Sequence, residues 1–379
     1  MNPLRAYSPA RTRARVTAEV ERFPWHACGA PADWRWGVPQ HWLRRFCRDW
    51  SEAYDWGALT ARFDGLEYVR ASQQGAGALY LPGPAGSPLI ILQHGWPSTV
   101  LEYIDLARAL QAAGHAVLVP ALPGAPLGQP CAAPLGPADA ARSILALVEK
   151  TGHASFIAHG GDWGADISVW LGLLAPGACR GVHLAMSGPA GNEPANALQT
   201  IEERKWRNMS DASYRNGGAY MDVQSRETAT MGYLLAASAV AMAAWICDKF
   251  LRWTDDRGKG PARAEAIIGR SFLLDTLSLF ALTETASSAL WLYPGHGESQ
   301  QTMPRRLDVP TAIFRLPNDP VFPWPPRSLL ERHYDVVHWT EPPHGAHFAA
   351  LEVPEFLEQD LLAFIAALSW DSGHLNRRA

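Results

Sequence analysis

The chain has 379 residues, with 33 Lys and Arg against 37 Asp and Glu and a formal net charge of −4. Charged residues make up 18% and the hydrophobic set 47%, so a large core can be buried and wholesale disorder is excluded. There is no Lys/Arg cluster to serve as a nucleic-acid footprint. The five cysteines, without CxxC spacing, read as thiols of a reducing, cytoplasmic compartment and not as a disulfide framework or zinc site.

Arg5, Arg11, Arg13 and Arg15 are not followed by an apolar run, so no secretory signal is expected. In the first eighty residues, which read as largely helical, Trp42, Phe46, Trp50 and Tyr54 recur at a spacing of four, the mark of one packing face. Leu81 to Gly86, rich in Pro and Gly, then punctuates the chain. Next come short apolar runs alternating with helical patterns. Strands are predicted at 89–92, 116–119, 155–158 and 181–184, and helices at 101–113, 138–150 and 165–174. Continuous apolar runs suit strands buried on both faces, so the alternation predicts an α/β fold with a mostly parallel sheet flanked by helices.

The alternation stops near Gly188, and residues 195–300 read as helical. Within them 228–247 carries no charge and is long enough to span a membrane. It is built mainly from Ala, however, and is expected to be a small-residue helix packed inside a domain. Strands return at 310–314 and 335–339, followed by an amphipathic helix at 354–368. The expected division is an N-terminal segment (1–85) packed on the core, a core in two parts (86–194 and 303–370), an inserted helical cap (195–302) and a loose tail (371–379).

The chemistry is concentrated after the 155–158 strand, in Gly160-Gly161-Asp162-Trp163-Gly164. Small residues two positions either side of the central residue, at a strand-to-helix turn, describe a nucleophile elbow with Asp where Ser is usual. A Gly-rich turn with a helix-capping Asp is the plain alternative. Context weighs against it, because the strand at 89–92 runs into His94-Gly95-Trp96-Pro97, a loop at the same sheet edge. Backbone N–H groups of Trp96 and Trp163 can there form an oxyanion hole, with His94 holding the loop. A carboxylate is ionised near pH 7 and can displace a leaving group from an alkyl carbon. The resulting ester needs water, a base and an acid that orients the base. In this fold the acid and then the histidine follow the nucleophile in the chain. Asp319 follows the 310–314 strand, whereas Asp308 precedes it. His344 and His347 both lie between the last strand and the last helix, with spacing favouring His347.

These residues resemble the epoxide hydrolases of the α/β-hydrolase fold, the microsomal and juvenile-hormone type in particular, over nearly the whole chain. The resemblance rests on Tyr54-Asp55-Trp56, on the His94-Gly95-Trp96-Pro97 and Gly160-to-Gly164 motifs, and on Gly345-Ala346-His347-Phe348-Ala349-Ala350-Leu351-Glu352. It selects His347 over His344. Cap segments around Tyr220 and Tyr293 are also similar, and imply that these two tyrosines donate to the epoxide oxygen. The family implies a cofactor-free enzyme without a metal, and the membrane anchor of its microsomal members is not expected in this sequence. Its partners would be a small-molecule epoxide and water, with a homodimer compatible. An apolar, aromatic epoxide and a role in bacterial secondary metabolism are further expectations. The alternatives are a haloalkane dehalogenase using the same Asp and His, and a catalytically silent ligand-binding homologue. Three departures bear on pocket shape. No aromatic pair follows Leu122-Pro123-Gly124, Ala346 stands where the family has Gly, and the helix near Ala237 lacks the usual Asp and Pro.

Overall fold

The computed structural model describes residues 2–29, 33–72, 75–188 and 200–370. The expected tail (371–379), the last core residues before the cap (189–194) and the start of the cap (195–199) lie outside the described residues. The centre is an eight-stranded sheet. Its strands are β1 (Glu67–Arg70), β2 (Gly77–Leu81), β3 (Leu89–Gln93), β4 (Ala116–Pro120), β5 (Phe156–Gly160), β6 (Cys179–Leu184), β7 (Leu307–Phe314) and β8 (Tyr334–Thr340), in the spatial order β1-β2-β4-β3-β5-β6-β7-β8. From β4 through β8 neighbouring strands are parallel, while β1 and β2 are antiparallel to their neighbours. Every residue of β3, β4 and β5 is buried, which is why these strands read as unbroken apolar runs.

The first eighty residues are largely helical, as expected, and the two antiparallel strands at their end are an addition that the sequence did not reveal. β1, with the sequence Glu-Tyr-Val-Arg, is a short edge strand exposed at both ends and carries little apolar signal. β2 begins Gly-Ala, residues of low β propensity, and owes its place to tertiary packing. A Cβ on Gly77 would lie 2.4 Å from the Leu127 carbonyl oxygen, so a side chain there is excluded.

The aromatic stripe is real, and the structure shows what it covers. Trp42 and Phe46 stack on the helix Gln40–Arg48, and Trp50 follows in a single π-helical turn, Asp49–Ala53. Trp50 Nε1 donates to Ser278 Oγ at 2.8 Å, Trp42 Nε1 to Glu265 Oε2 at 2.8 Å, and the Tyr54 hydroxyl to Asp275. The N-terminal segment thus docks on the helices Pro261–Ile268 and Arg270–Thr283 of the long insertion, as well as reaching the sheet through β1 and β2.

Between β6 and β7 the described chain is helical. The uncharged stretch at 228–247 is two helices, Thr228–Ala237 and Ala239–Trp253, bent by 116°. Ser238 makes the break by capping the second helix, its Oγ accepting from Ala241 N. No single helix among the described residues is long and apolar enough to cross a membrane.

Beneath β5 runs a buried polar tie. The rings of His159 and His183 meet Nδ1 to Nδ1 at 2.9 Å, and His183 Nε2 and His338 Nε2 both reach Asp360, at 2.9 and 2.6 Å. Burial would raise the Asp360 carboxyl, but the two imidazoles outweigh it and bring it down to about 2. The final helix, Pro354–Trp370, is thereby pinned to the central strands that carry the site.

Candidate active site

Adjacent strands β3 and β5 end together, with Gln93 opposite Gly160. That register sets His94-Gly95-Trp96-Pro97 directly beside Gly161-Asp162, at the carboxyl edge where open α/β sheets bind ligands. Asp162 has φ +50° and ψ −134°, a conformation L-residues rarely hold, and stands at the head of the helix Trp163–Leu174 without its side chain capping it. The flanking glycines make this turn feasible. A Cβ on Gly160 would lie 2.2 Å from Gly164 C, and one on Gly164 would lie 2.1 Å from Gln93 O.

The loop after β3 closes tightly on the acid. Trp96 N donates to Asp162 Oδ1 at 2.9 Å, next to the cis Trp96–Pro97 bond. Trp163 N heads the helix that follows Asp162 and has no carbonyl one turn earlier within that helix, so its N–H adds to the positive end. Gly95 is required by contact, because a Cβ there would lie 2.2 Å from Asp162 Cβ and 2.3 Å from Oδ1. Gly95→Ala is therefore expected to push the carboxylate off Trp96 N and cut turnover by roughly a hundredfold. Steady-state kinetics beside a thermal melt separate that loss from unfolding. His94 donates through Nδ1 to Gly95 O at 2.9 Å and accepts from Leu122 N through Nε2 at 3.2 Å. Burial lowers its pKa to about 4, so the ring is a neutral bracket between two loops.

The loops after β7 and β8 bring a second acid and a histidine to the same point. His347 Nδ1 lies 3.0 Å from Asp319 Oδ2, and His347 Nε2 lies 3.3 Å from Asp162 Oδ2. Asp319 Oδ1 accepts from Val321 N and Phe322 N at 2.8 and 3.0 Å, which fixes the carboxylate so that Nδ1 carries the proton donated to it. Burial alone would lower the His347 pKa. Asp319 and Asp162 outweigh it and raise the pKa to about 10, so the resting ring is an imidazolium between two carboxylates. His344 instead packs edge-on against Phe356, and Asp308 pairs with Arg306 at the far edge of the sheet.

Two acids that hold this loop escaped the sequence reading. Glu352 accepts from Asp255 N, Ala346 N and Phe348 N at 2.8, 3.1 and 2.8 Å. Asp255 Oδ2 accepts from Gly345 N and Asn318 Nδ2, both at 2.9 Å, tying the His347 loop to the Asp319 loop. Glu352 stood inside a recognised motif without a role. Asp255 sits in a Thr-Asp-Asp-Arg-Gly turn that reads as surface loop. Ala346, the departure from the family's Gly, is fully buried with its N–H on Glu352.

Residues 1–103 match the family described as epoxide hydrolase N terminus, and 88–244 match the α/β-hydrolase fold. A Stigmatella aurantiaca protein named "Putative epoxide hydrolase" is 30% identical over 343 residues, covering 87% of this chain and 76% of that protein. The chain belongs to the epoxide hydrolases of the α/β-hydrolase fold. Juvenile hormone epoxide hydrolase 1 of Ctenocephalides felis is 24% identical over 85% of the chain and 76% of its own length. The structure of Aspergillus niger epoxide hydrolase superposes with a TM-score of 0.81 at 24% identity, covering 95% of this chain and 94% of that one.

In this epoxide hydrolase the Asp162 turn faces a cavity of about 290 Å³. Tyr220, on the helix Ala219–Arg226, and Tyr293, on the helix Leu292–Thr302, line it together with Asp162, Trp163 and Phe322. Both tyrosines are almost fully buried and pack on Trp96, Tyr220 stacked at 5.9 Å and Tyr293 edge-on at 5.8 Å. Burial, reinforced by the Asp162 charge, holds both phenols well above their usual pKa. In the resting enzyme both are therefore protonated at neutral pH. Beyond Tyr220 a wider apolar groove of about 980 Å³ runs between the N-terminal segment and the helices at 219–253.

Proposed function

We propose that the enzyme opens an epoxide to a vicinal diol through an ester on Asp162. The observation that carries this is the convergence of a strained, backbone-held carboxylate, the His347–Asp319 pair and two buried phenols on one cavity. Asp162 Oδ1 accepts from Trp96 N, so Oδ2, held only by its looser 3.3 Å pairing with His347 Nε2, is the oxygen that attacks an epoxide carbon. As the C–O bond breaks, Tyr220 and Tyr293 donate to the leaving oxygen, and one phenol gives up its proton. The His347 imidazolium restores that phenol. Esterification removes the Asp162 charge, and with it one of the two carboxylates that raise the His347 pKa. The ring that was an acid becomes a base.

Water then attacks the ester carbonyl carbon as His347 Nε2 takes its proton. The oxyanion forms on Oδ1, facing the Trp96 and Trp163 amides. Collapse expels the diol alkoxide, which takes a proton from His347. The new carboxylic acid returns a proton to His347, and the starting pair is regenerated. The phenols serve an oxygen leaving group, and a halide would need no proton, so the dehalogenase reading is not favoured.

The test is diol formation across aryl, terminal and trans-disubstituted epoxides. Wild type is expected to form diol from at least one. Phenylalanine at position 220 or 293 is expected to slow ester formation roughly tenfold to a hundredfold with little change in ester hydrolysis. Stopped-flow tryptophan fluorescence resolves the two phases. The aromatic and thioether lining from Trp163, Met186, Met221 and Phe322 supports an apolar, aromatic substrate, with room beyond Tyr220 for a bulky substituent. The five free cysteines support a reducing cytoplasm, and the family resemblance supports a role in bacterial secondary metabolism.

A further inference from the structure

A second, much smaller cavity lies on the other side of the nucleophile. It measures about 10 Å³, roughly what one water molecule needs, and is lined by Gly95, Trp96, Ser98, Glu102, Gly161, Asp162, His347 and Phe348. Four of these carry polar side chains: the nucleophile, the base, a serine and a glutamate. Glu102 and Ser98 are more than nine-tenths buried. Among the described residues Ser98 Oγ and His347 Nε2 have no hydrogen-bond partner of normal geometry, although the Ser98 hydroxyl is near enough to the Glu102 carboxyl to draw its pKa down. A buried hydroxyl is costly without a well-formed partner, and a buried carboxyl is costly when charged. The short helix Val100–Tyr103 nonetheless presents the carboxyl of Glu102 to this spot, directly after the loop that supplies the Trp96 amide.

We propose that Glu102, with Ser98, positions the water that hydrolyses the Asp162 ester. A water in this cavity can give one hydrogen to His347 Nε2 and the other, as a hydrogen bond only, to the Glu102 carboxyl. Its lone pair is then aimed at the ester carbonyl carbon. The O–H bond to His347 breaks, the C–O bond to the ester carbon forms, and Glu102 holds its hydrogen bond without taking the proton. Glu102 is thus a positioning residue and His347 the base. Burial pushes the Glu102 carboxyl up to about 7. The ionisable groups acting on it are His347, Asp162 and Glu352, with Tyr103 next to it in the chain.

The inference rests on the ester pathway proposed above, and the experiment separates the two. In single-turnover fluorescence, Glu102→Gln is expected to form ester at the wild-type rate and hydrolyse it roughly a hundredfold more slowly. In the steady state kcat and KM then fall together while kcat/KM stays near wild type, a split that loss of structure would not give. Ser98→Ala is expected to show the same pattern, several-fold weaker, and tests the role if Glu102→Gln does not fold. Hydrolysis within about twofold of wild type in both variants would overturn the role of Glu102 and Ser98. Ester formation and hydrolysis slowing in parallel would also overturn it. An ester seen in neither wild type nor variant would instead overturn the pathway.

Discussion

His347→Gln is expected to stop the reaction half-way. Asp162 and the phenols remain, so the ester forms, but no base is left to activate water. Ester hydrolysis should fall by 10²–10⁴-fold. Intact-protein mass spectrometry should show one substrate mass added per chain, and proteolysis should place it on the peptide containing Asp162. A variant that turns over normally, or that never gains mass, would exclude His347 as the base. Its 3.0 Å contact with Asp319 and 3.3 Å contact with Asp162 underlie the expectation.

Asp162→Ala removes the nucleophile and should lower turnover by roughly 10⁴-fold or more, with no mass added on incubation with substrate. It also has a consequence for the resting enzyme. Because the folded-state pKa of His347 lies above its ordinary value of 6.5, pairing with the two acids stabilises the fold fully below pH 6.5. That contribution is lost as the pH rises through about 10. Removing Asp162 takes away one of the two charges, so the ring should titrate at lower pH in Asp162→Ala than in wild type. Ring resonances followed by NMR across that range measure the change. An unchanged titration would mean that Asp162 does not bear on His347.

The parallel part of the sheet was legible because its strands are buried on both faces and write themselves as apolar runs between helical patterns. β1 and β2 were not, since an exposed edge strand and a Gly-Ala strand take their conformation from neighbours distant in sequence. The fold at Ser238 was equally hidden, as an uninterrupted apolar stretch gives no sign of a turn of 116°. At the site, strand ends and chain order name Asp162 and Asp319 and narrow the histidine to His344 or His347, between which the family resemblance chose. The structure brings His347 to 3.0 Å from Asp319 and 3.3 Å from Asp162. Tyr220 and Tyr293 carried no local signal and were named through family resemblance alone. Asp255 and Glu352 act by receiving backbone N–H groups from remote loops, and Glu102 by facing a cavity. No spacing rule encodes such contacts.

Every step of the reaction passes through the ester on Asp162, and the fate of the water oxygen reports on that ester. In a single turnover in heavy-oxygen water, with enzyme in excess, the new diol oxygen should come from Asp162 Oδ2 and carry no label. The label should appear in the Asp162 carboxylate, found by mass spectrometry of its peptide. Labelled diol from the first turnover, with an unlabelled Asp162 peptide, would mean that water attacks the epoxide directly and would contradict the account.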